Sequence, residues 1–464
     1  MTDEEKIDAL KTALPDGAWT QDADIIEPHL TEWRDKYYGE TPLMLTPRTT
    51  EECSEAVKIC AKHKIAIMPQ GGNTGLVGGN TPQGEVLISL KKMNNIREIN
   101  PTSNNMIVEA GAILQNVLDA ANESNRKFPM TLSSQGSCTV GGVLATNAGG
   151  NHVLKYGTTK ELVFGVEAVL PNGEIFNGLT NLRKDNTGYD LNRLFLGAEG
   201  TLGIITAASL KLYPKPTYVQ RALIGLDSVA TAVSLLEDFR AGGRLAMFEV
   251  MPSIGYRAVV DNFDAVRDPF EALYDWYLLC DWEVDSEDEG LRLAEDILGK
   301  AFEAEKVLDA VIAQNETQAE EILSIREHMS AGQKFLGGSV KHDITVPIDK
   351  IPEFFKLADA KCQEVAPGCR PVGFGHFGDG NIHYNVAQPK DADKEAFLDK
   401  WDDLSQPIFD IIDELGGSIS AEHGIGIMKR DDLAERASPT KIALLKAIKN
   451  AIDPDRIMNP RVMI

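Results

Sequence analysis

Residues 372–386 alternate around Asp379-Gly380, the residue pair that favours a two-residue hairpin turn. Pairing Gly378 with Asn381 and Phe377 with Ile382 then sets His376 directly opposite His383, with their Cβ atoms about 5 Å apart on one face. Asn385, two residues beyond His383, shares that face. Facing imidazoles begin a metal site, but zinc centres with an open position take a third protein ligand, often a carboxylate. The nearest candidate is Glu422, beside His423 in the glycine-bounded stretch 418–426. On spacing alone two other readings stand: a stacked histidine pair on a solvated sheet, and a helix cap at Glu422-His423.

A different chemistry is written in three glycine-rich stretches. The first runs through Pro69, Gly71, Gly72, Asn73, Thr74 and Gly75 to Gly79, straight after a predicted strand. Without Cβ atoms, successive backbone amides can converge on one centre and make a nest for a pyrophosphate. The pattern is neither GxGxxG nor a P-loop. The second stretch, 133–150, carries Gly136, Ser137, Thr139, Gly141, Gly142, Thr146, Asn147, Gly149 and Gly150. Small, neutral residues with hydroxyls between glycines leave room for a flat cofactor and supply donors along it. The third, 197–206, contains Glu199, Gly203 and Ile205. Any one of them could be a tight turn; all three in one region point to a large phosphate-bearing cofactor.

The elements that must hold these residues can be read from periodicity. A helix opens at Thr49 with Glu52 at capping-box spacing, and Cys53, Ala56, Val57, Cys60 and Ala61 form one apolar stripe. Strands are predicted at 43–45, 65–68, 86–88 and 107–109, and a hairpin over 162–176 turns at Asn172-Gly173. Pro214-Lys215-Pro216 reads as a linker. Beyond it come a strand at 221–226, a helix at 229–239, a strand at 277–284, helices near 290–302 and 317–335, a strand at 344–346 and a helix over 352–365. That order suggests a second α+β domain with an antiparallel sheet. From about Gly424 the chain reads as helical.

Composition bounds the answer. A chain of 464 residues, 43% hydrophobic and 25% charged, is long enough for two or three packed domains, and no run is apolar enough for a membrane helix. Six cysteines without a CxxC pair indicate neither a disulfide framework nor a thiolate metal site, which fits a reducing cytoplasm. The acidic residues at the N-terminus have the wrong charge for a secretion signal or a transit peptide. A formal charge of −24 disfavours nucleic acid and anionic membrane surfaces, and an anionic substrate would need local cations to overcome that field.

The glycine segments together resemble the FAD-binding domain of the vanillyl-alcohol oxidase and p-cresol methylhydroxylase superfamily, most closely its D-2-hydroxyglutarate and D-lactate dehydrogenase branch, from about Thr46 to Val462. The resemblance implies an α+β fold with three parts. Residues 1–216 would form a two-subdomain FAD-binding domain of the p-cresol methylhydroxylase (PCMH) type, 217–423 a ferredoxin-like antiparallel substrate (cap) domain, and 424–464 a helical segment returning to the FAD domain. It implies that 69–75 hold the FAD pyrophosphate, 136–150 line the flavin and ribityl chain, 199–205 reach the adenine end, and Asn459 contributes from the tail. Relatives that attach FAD covalently use a histidine or cysteine near the first loop; Asn73 and Thr74 stand there, so the FAD is expected to be non-covalent. By the same resemblance His376, His383 and Glu422 hold Zn2+ or another divalent metal, and His423 is the general base. Arg326 and Lys341, which alone would read as solvated surface, are placed with Ser330, Asn385 and His423 around the substrate, Arg326 on the C1 carboxylate and Lys341 with Ser330 on a distal one. Ser330 stands where the family has threonine, and Arg461 departs from the usual tail.

The activity implied is oxidation of a D-2-hydroxy acid: D-2-hydroxyglutarate foremost, with D-malate, D-lactate and glycolate as alternatives. Electrons would pass to an electron-transfer flavoprotein or a quinone, and a homodimer is allowed. Two other classes are considered: a zinc hydrolase on His376, His383 and Glu422 without flavin, and a flavin-binding module without turnover.

Overall fold

The computed structural model describes residues 2–240 and 243–464, and they form two compact units. One comprises the chain up to Gly150, Tyr156–Lys215 and Glu422–Ile464; the other comprises Asn151–Lys155 and Pro216–Ala421. The second unit thus closes two residues before the expected boundary at 423, and Glu422 and His423 group with the first.

The first unit has two sheets. In one, Met44–Leu45, Val86–Ser89 and Ile67–Gln70 run parallel, with Trp19–Thr20 antiparallel at the edge. Parallel strands need a crossover, and the helix Thr50–His63 supplies it, burying Cys53, Ala56, Val57 and Cys60 as its stripe requires. Thr49 caps it by accepting the Glu52 N–H, whereas the Glu52 carboxylate accepts from the Arg48 N–H at 2.8 Å and leaves the capping box open. The second sheet is antiparallel, in the order Ile96–Asn100, Asn105–Glu109, Ile204–Lys211, Val163–Val169, Ile175–Asn177. Its last two strands are the hairpin read from Asn172-Gly173, with Gly173 at φ +81°.

The C-terminal stretch is less helical than its composition suggests: 424–429 is loop, followed by helices Arg430–Arg436 and Pro439–Ile452. It is pinned by the buried Lys449, whose ammonium donates to the Asp453 carboxylate at 2.6 Å and to the carbonyls of Thr201 and Met458. The Asp453 carboxylate also accepts the N–H groups of Ile457 and Met458. Beyond it, Met458 forms a parallel bridge with Ile67 at the foot of the first glycine loop.

The second unit opens as a ferredoxin-like fold. Tyr218–Leu226, Leu245–Pro252, Trp276–Val284 and Asp309–Ile312 form an antiparallel sheet in spatial order 4-1-3-2, with helices Val229–Arg240 and Glu287–Glu303 packed on one face. The strand Leu245–Pro252 is absent from the sequence reading because all eight residues are buried, so no alternation marks it. A further three-stranded sheet, Ser339–Thr345, Asn381–Ala387 and Arg370–Phe374, continues the first, because Val250 and Gly375 exchange both backbone hydrogen bonds at 3.0 Å. The helix Glu316–Glu327 packs on the joint face through Ile322 and Ile325, which share one buried cluster with Leu223, Met247, Val372 and Phe374.

Removing one partner of a buried ion pair leaves the other charge uncompensated, at a cost of about 3–5 kcal/mol. Asp453→Ala should therefore lower stability by that amount, read as a fall in the denaturant midpoint of the flavin-containing protein.

Candidate active site

In the first unit the glycine segments enclose a cavity of about 250 Å3. Its wall contains Pro69, Gly71, Gly72, Asn73, Thr74 and Gly75 from the first segment and Thr139, Gly141, Gly142, Thr146 and Gly149 from the second. Glu199, Gly203 and Ile205 come from the third, and Glu422 and His423 from the returning chain. The close approach of the first two segments depends on glycine: a Cβ on Gly72 would lie 2.2 Å from the Ser137 carbonyl oxygen, and one on Gly71 would lie 2.2 Å from Thr139 Oγ1. The Thr139 hydroxyl is buried in this wall without a hydrogen-bond partner, a polar group set for a ligand. Gly149 leaves room for Glu422, whose Oε1 would stand 2.7 Å from a Cβ there. A narrow slot between two backbones with an orphaned hydroxyl inside it fits a flat, phosphate-bearing cofactor such as FAD.

Several residues expected at the cofactor do other work. Gly136, Ser137, Asn147, Gly150 and Asn459 are not part of the wall, whereas the helix Val140–Thr146 contributes Gly141, Gly142 and Thr146 to it. Asn147 ends that helix at φ +50° and accepts from the Thr158 hydroxyl and the Lys160 N–H. Gly150 lies against the Thr131 carbonyl, and the Asn459 amide donates to the carbonyls of Gly79 and Glu199. The Glu199 carboxylate accepts the N–H groups of Ile425 and Gly426 at 2.7 Å each, so it clamps the loop after His423. Burial raises its pKa, with those two amides opposing the shift. Asn73 stands at φ +60°, and its side-chain amide donates to the carbonyls of Pro28 and Thr31. Arg461 pairs with Glu85 at 2.6 Å.

In the second unit the histidine hairpin departs from the expected register. Phe374, not His376, is opposite His383, and Gly373 is opposite Tyr384. The strand ends at Phe374 because Gly375, at φ +140°, turns away to bond with Val250, so 375–380 is a loop and Asp379-Gly380 is not a two-residue turn. The loop still brings the imidazoles together: the ring centroids of His376 and His383 are 5.5 Å apart at 76°. Burial, opposed by His376, pushes the Asp379 carboxyl up to about 6.

Around them one sheet face collects the rest. Lys341 pairs with Asn385 and Asp343 with His383, so all four side chains share that face. Asp343, buried, accepts from the Asn381 amide at 3.0 Å and lies 3.8 Å from His383 Nδ1. The Asn385 amide donates to Gln333 Oε1. Arg326 is not a solvated residue: its guanidinium carbon lies 5.0 Å from the Phe374 ring centroid, and its Nε donates to Glu249 Oε2 at 2.7 Å. Ser330 follows one turn later and is exposed. Glu249 Oε1 in turn accepts from His376 Nδ1 at 2.5 Å. Burial works against ionisation of Glu249, but His376 and Arg326 overcome it and hold the carboxyl down at about 2. Glu249 and Asp343 were missed by the sequence reading; for Glu249 the available signal was a lone carboxylate inside an apolar run, which burial makes costly unless it is paired, whereas the stretch around Asp343, with Lys341 and His342, carries no such signal.

The segment leaving this unit runs beside Ser339–Thr345: Ser418 and Thr345 exchange backbone hydrogen bonds, and the Ala421 N–H donates to the Asp343 carbonyl at 3.4 Å. The next two residues in the chain are Glu422 and His423.

Two family models match the chain. A model of the FAD binding domain matches residues 41–178, and a model of the C-terminal domain of FAD linked oxidases matches residues 215–463. The mitochondrial D-2-hydroxyglutarate dehydrogenase of Arabidopsis thaliana is 35% identical over 99% of this chain and 81% of its own. The D-2-hydroxyglutarate dehydrogenase of Stutzerimonas stutzeri is 34% identical over 99% of both. The D-2-hydroxyglutarate–pyruvate transhydrogenase of Saccharomyces cerevisiae is 32% identical over 92% of this chain and 88% of its own. Among solved structures, p-cresol methylhydroxylase superimposes with a TM-score of 0.77 at 19% identity, covering 99% of this chain and 96% of its own, a likeness of fold.

The chain therefore belongs to the FAD-linked oxidase family. Within it, the full-length relatives make it a FAD-dependent enzyme of the D-2-hydroxyacid dehydrogenase type. No helix among the described residues is long and apolar enough to cross a membrane.

The glycine slot yields a paired test. Gly72→Ala, which drives a Cβ into the Ser137 carbonyl, should cut the flavin content of the purified protein by about tenfold, because backbone cannot move aside as a side chain can. Gly136→Ala, where nothing lies within 4 Å, should retain full flavin absorbance.

Proposed function

We propose that the chain oxidises a D-2-hydroxy acid at C2, D-2-hydroxyglutarate foremost, with His376, His383 and Glu422 holding a divalent metal and His423 acting as general base. The observation that carries the reading is that Glu422 and His423 stand in the wall of the glycine-lined cavity that fits FAD. Two further observations support the metal: the two imidazoles lie together, and each has a buried carboxylate on its Nδ1 side. That is the usual company of a metal-binding histidine. FAD when bound supplies the hydride acceptor, and a divalent metal when bound supplies Lewis acidity toward the substrate hydroxyl.

The remaining work falls to the side chains. His423 takes the hydroxyl proton. Arg326, stacked on Phe374, presents its outer guanidinium nitrogens as a fork for the C1 carboxylate. Lys341, on the same sheet face as His383 and Asn385, receives a distal carboxylate, with the Ser330 hydroxyl alongside. Such local cations are required, since the chain as a whole carries −24 and repels a dianion at long range. Relatives named for D-2-hydroxyglutarate favour the dicarboxylate over D-lactate or glycolate. Electrons then leave to a flavoprotein or quinone acceptor.

Anaerobic mixing with D- and L-2-hydroxy acids, read as loss of flavin colour, tests the reading. Only D-acids should bleach the flavin, fastest those with two carboxylates. EDTA should slow bleaching and added zinc restore it; a chelated enzyme at full rate would remove the metal. His423→Ala should keep its FAD and reduce it about 10²–10⁴-fold more slowly. Lys341→Ala should abolish the preference for dicarboxylates while leaving monocarboxylate oxidation. A colourless protein would instead favour a zinc hydrolase.

A further inference from the structure

We infer that Glu249 is a positioning residue that sets the metal-binding histidine and the carboxylate-binding arginine as one unit. The inference rests on the reading of His376 as a metal ligand and Arg326 as a carboxylate fork.

The carboxylate is 1% exposed and uses its two oxygens on two different side chains, Oε1 on His376 Nδ1 and Oε2 on Arg326 Nε. Backbone fixes both ends of this arrangement. Val250 and Gly375 exchange two hydrogen bonds, and Glu249 and His376 are the residues immediately beside that pair. Arg326 arrives on a helix whose Ile322 and Ile325 are buried against the same sheet.

Each bond decides something the partner cannot decide alone. A histidine that donates from Nδ1 presents Nε2 as a ligand, and a carboxylate acceptor makes that nitrogen more basic. A guanidinium whose Nε is held by Glu249, and whose face lies on Phe374, can turn only its two terminal nitrogens toward a substrate. The charge matters too. A divalent ion on His376 and the guanidinium of Arg326 would repel one another, and Glu249 places an anion in contact with both groups. A 2-hydroxy acid needs these two cationic centres side by side, because its hydroxyl and carboxylate are on adjacent carbons.

The test uses the flavin-loaded enzyme stripped of metal. Zinc dissociation constants come from equilibrium dialysis of the wild type, His376→Ala, Glu249→Gln and Glu249→Asp; KM and kcat for D-2-hydroxyglutarate are then measured with zinc saturating. Glu249→Gln should bind zinc about 10–100-fold more weakly and, once zinc is saturating, show KM raised by about tenfold with kcat changed less. Glu249→Asp, which restores the charge, should recover part of both effects. Wild-type values for zinc and KM in a folded Glu249→Gln overturn the inference, and so does a change in only one of them. Should Glu249→Gln lose its flavin, the wild type decides: nitrogen-15 spectra of histidine-labelled, zinc-free enzyme, recorded above the ring's titration, should show the His376 proton on Nδ1, and a proton on Nε2 overturns the proposal. If the wild type binds no zinc that His376→Ala abolishes, it is the metal reading that fails.

Discussion

Two hydrogen bonds between Val250 and Gly375 join the two sheets of the second unit, and the polar face of that unit depends on them. They end the Arg370–Phe374 strand and turn the next residue, His376, toward Glu249. They also convert a ferredoxin-like sheet and a separate three-stranded sheet into one surface. Across it Glu249, Phe374, His383, Asp343, Lys341 and Asn385 come from four strands. A buried glutamate in the middle of a sheet is tolerable only because its two hydrogen-bonding neighbours, His376 and Arg326, are delivered by that same junction and by the helix laid over it.

In the first unit the governing constraint is steric. Backbone segments far apart in sequence touch where Gly71 and Gly72 meet Ser137 and Thr139, and where Gly149 meets Glu422. The resulting slot is shaped by absent side chains rather than by the ones present. Its rim is held by polar groups: Glu199, itself in the wall, on the amides after His423, and behind the wall Asn459 on two carbonyls and Lys449 with Asp453 at the root of the C-terminal stretch. The placement of His423 is therefore a property of the clamp as much as of the loop that carries it.

Much of this was legible in one dimension. The helix at 50–63, the Asn172-Gly173 hairpin, the linker at 214–216 and the identity of the glycine segments follow from local signals, because periodicity, caps and turn residues act over a few positions. The strand Leu245–Pro252 was silent, since burial on both faces erases alternation. The hairpin register was misread for a related reason: Asp379-Gly380 favours a tight turn locally, but Gly375 bonds with Val250, 125 positions earlier in the chain, and tertiary pairing prevails over turn preference. Arg326 read as surface because nothing near it in the chain hints at Glu249, 77 residues away.

The sequence by itself determined the inventory: the glycines that a phosphate-bearing cofactor needs, two histidines near a bend, a Glu-His pair, and cations able to hold carboxylates. Residue type carries donor, acceptor and charge, and these survive any change of register. Only the tertiary structure decided which inventory members meet, that Glu249 and Asp343 stand behind the imidazoles, that Asn459 braces the cavity from behind, and that Glu199 in its wall also clamps the loop after His423. Those are outcomes of strand pairing and chain return over 40 to 380 residues, where the local signals in a sequence have no reach.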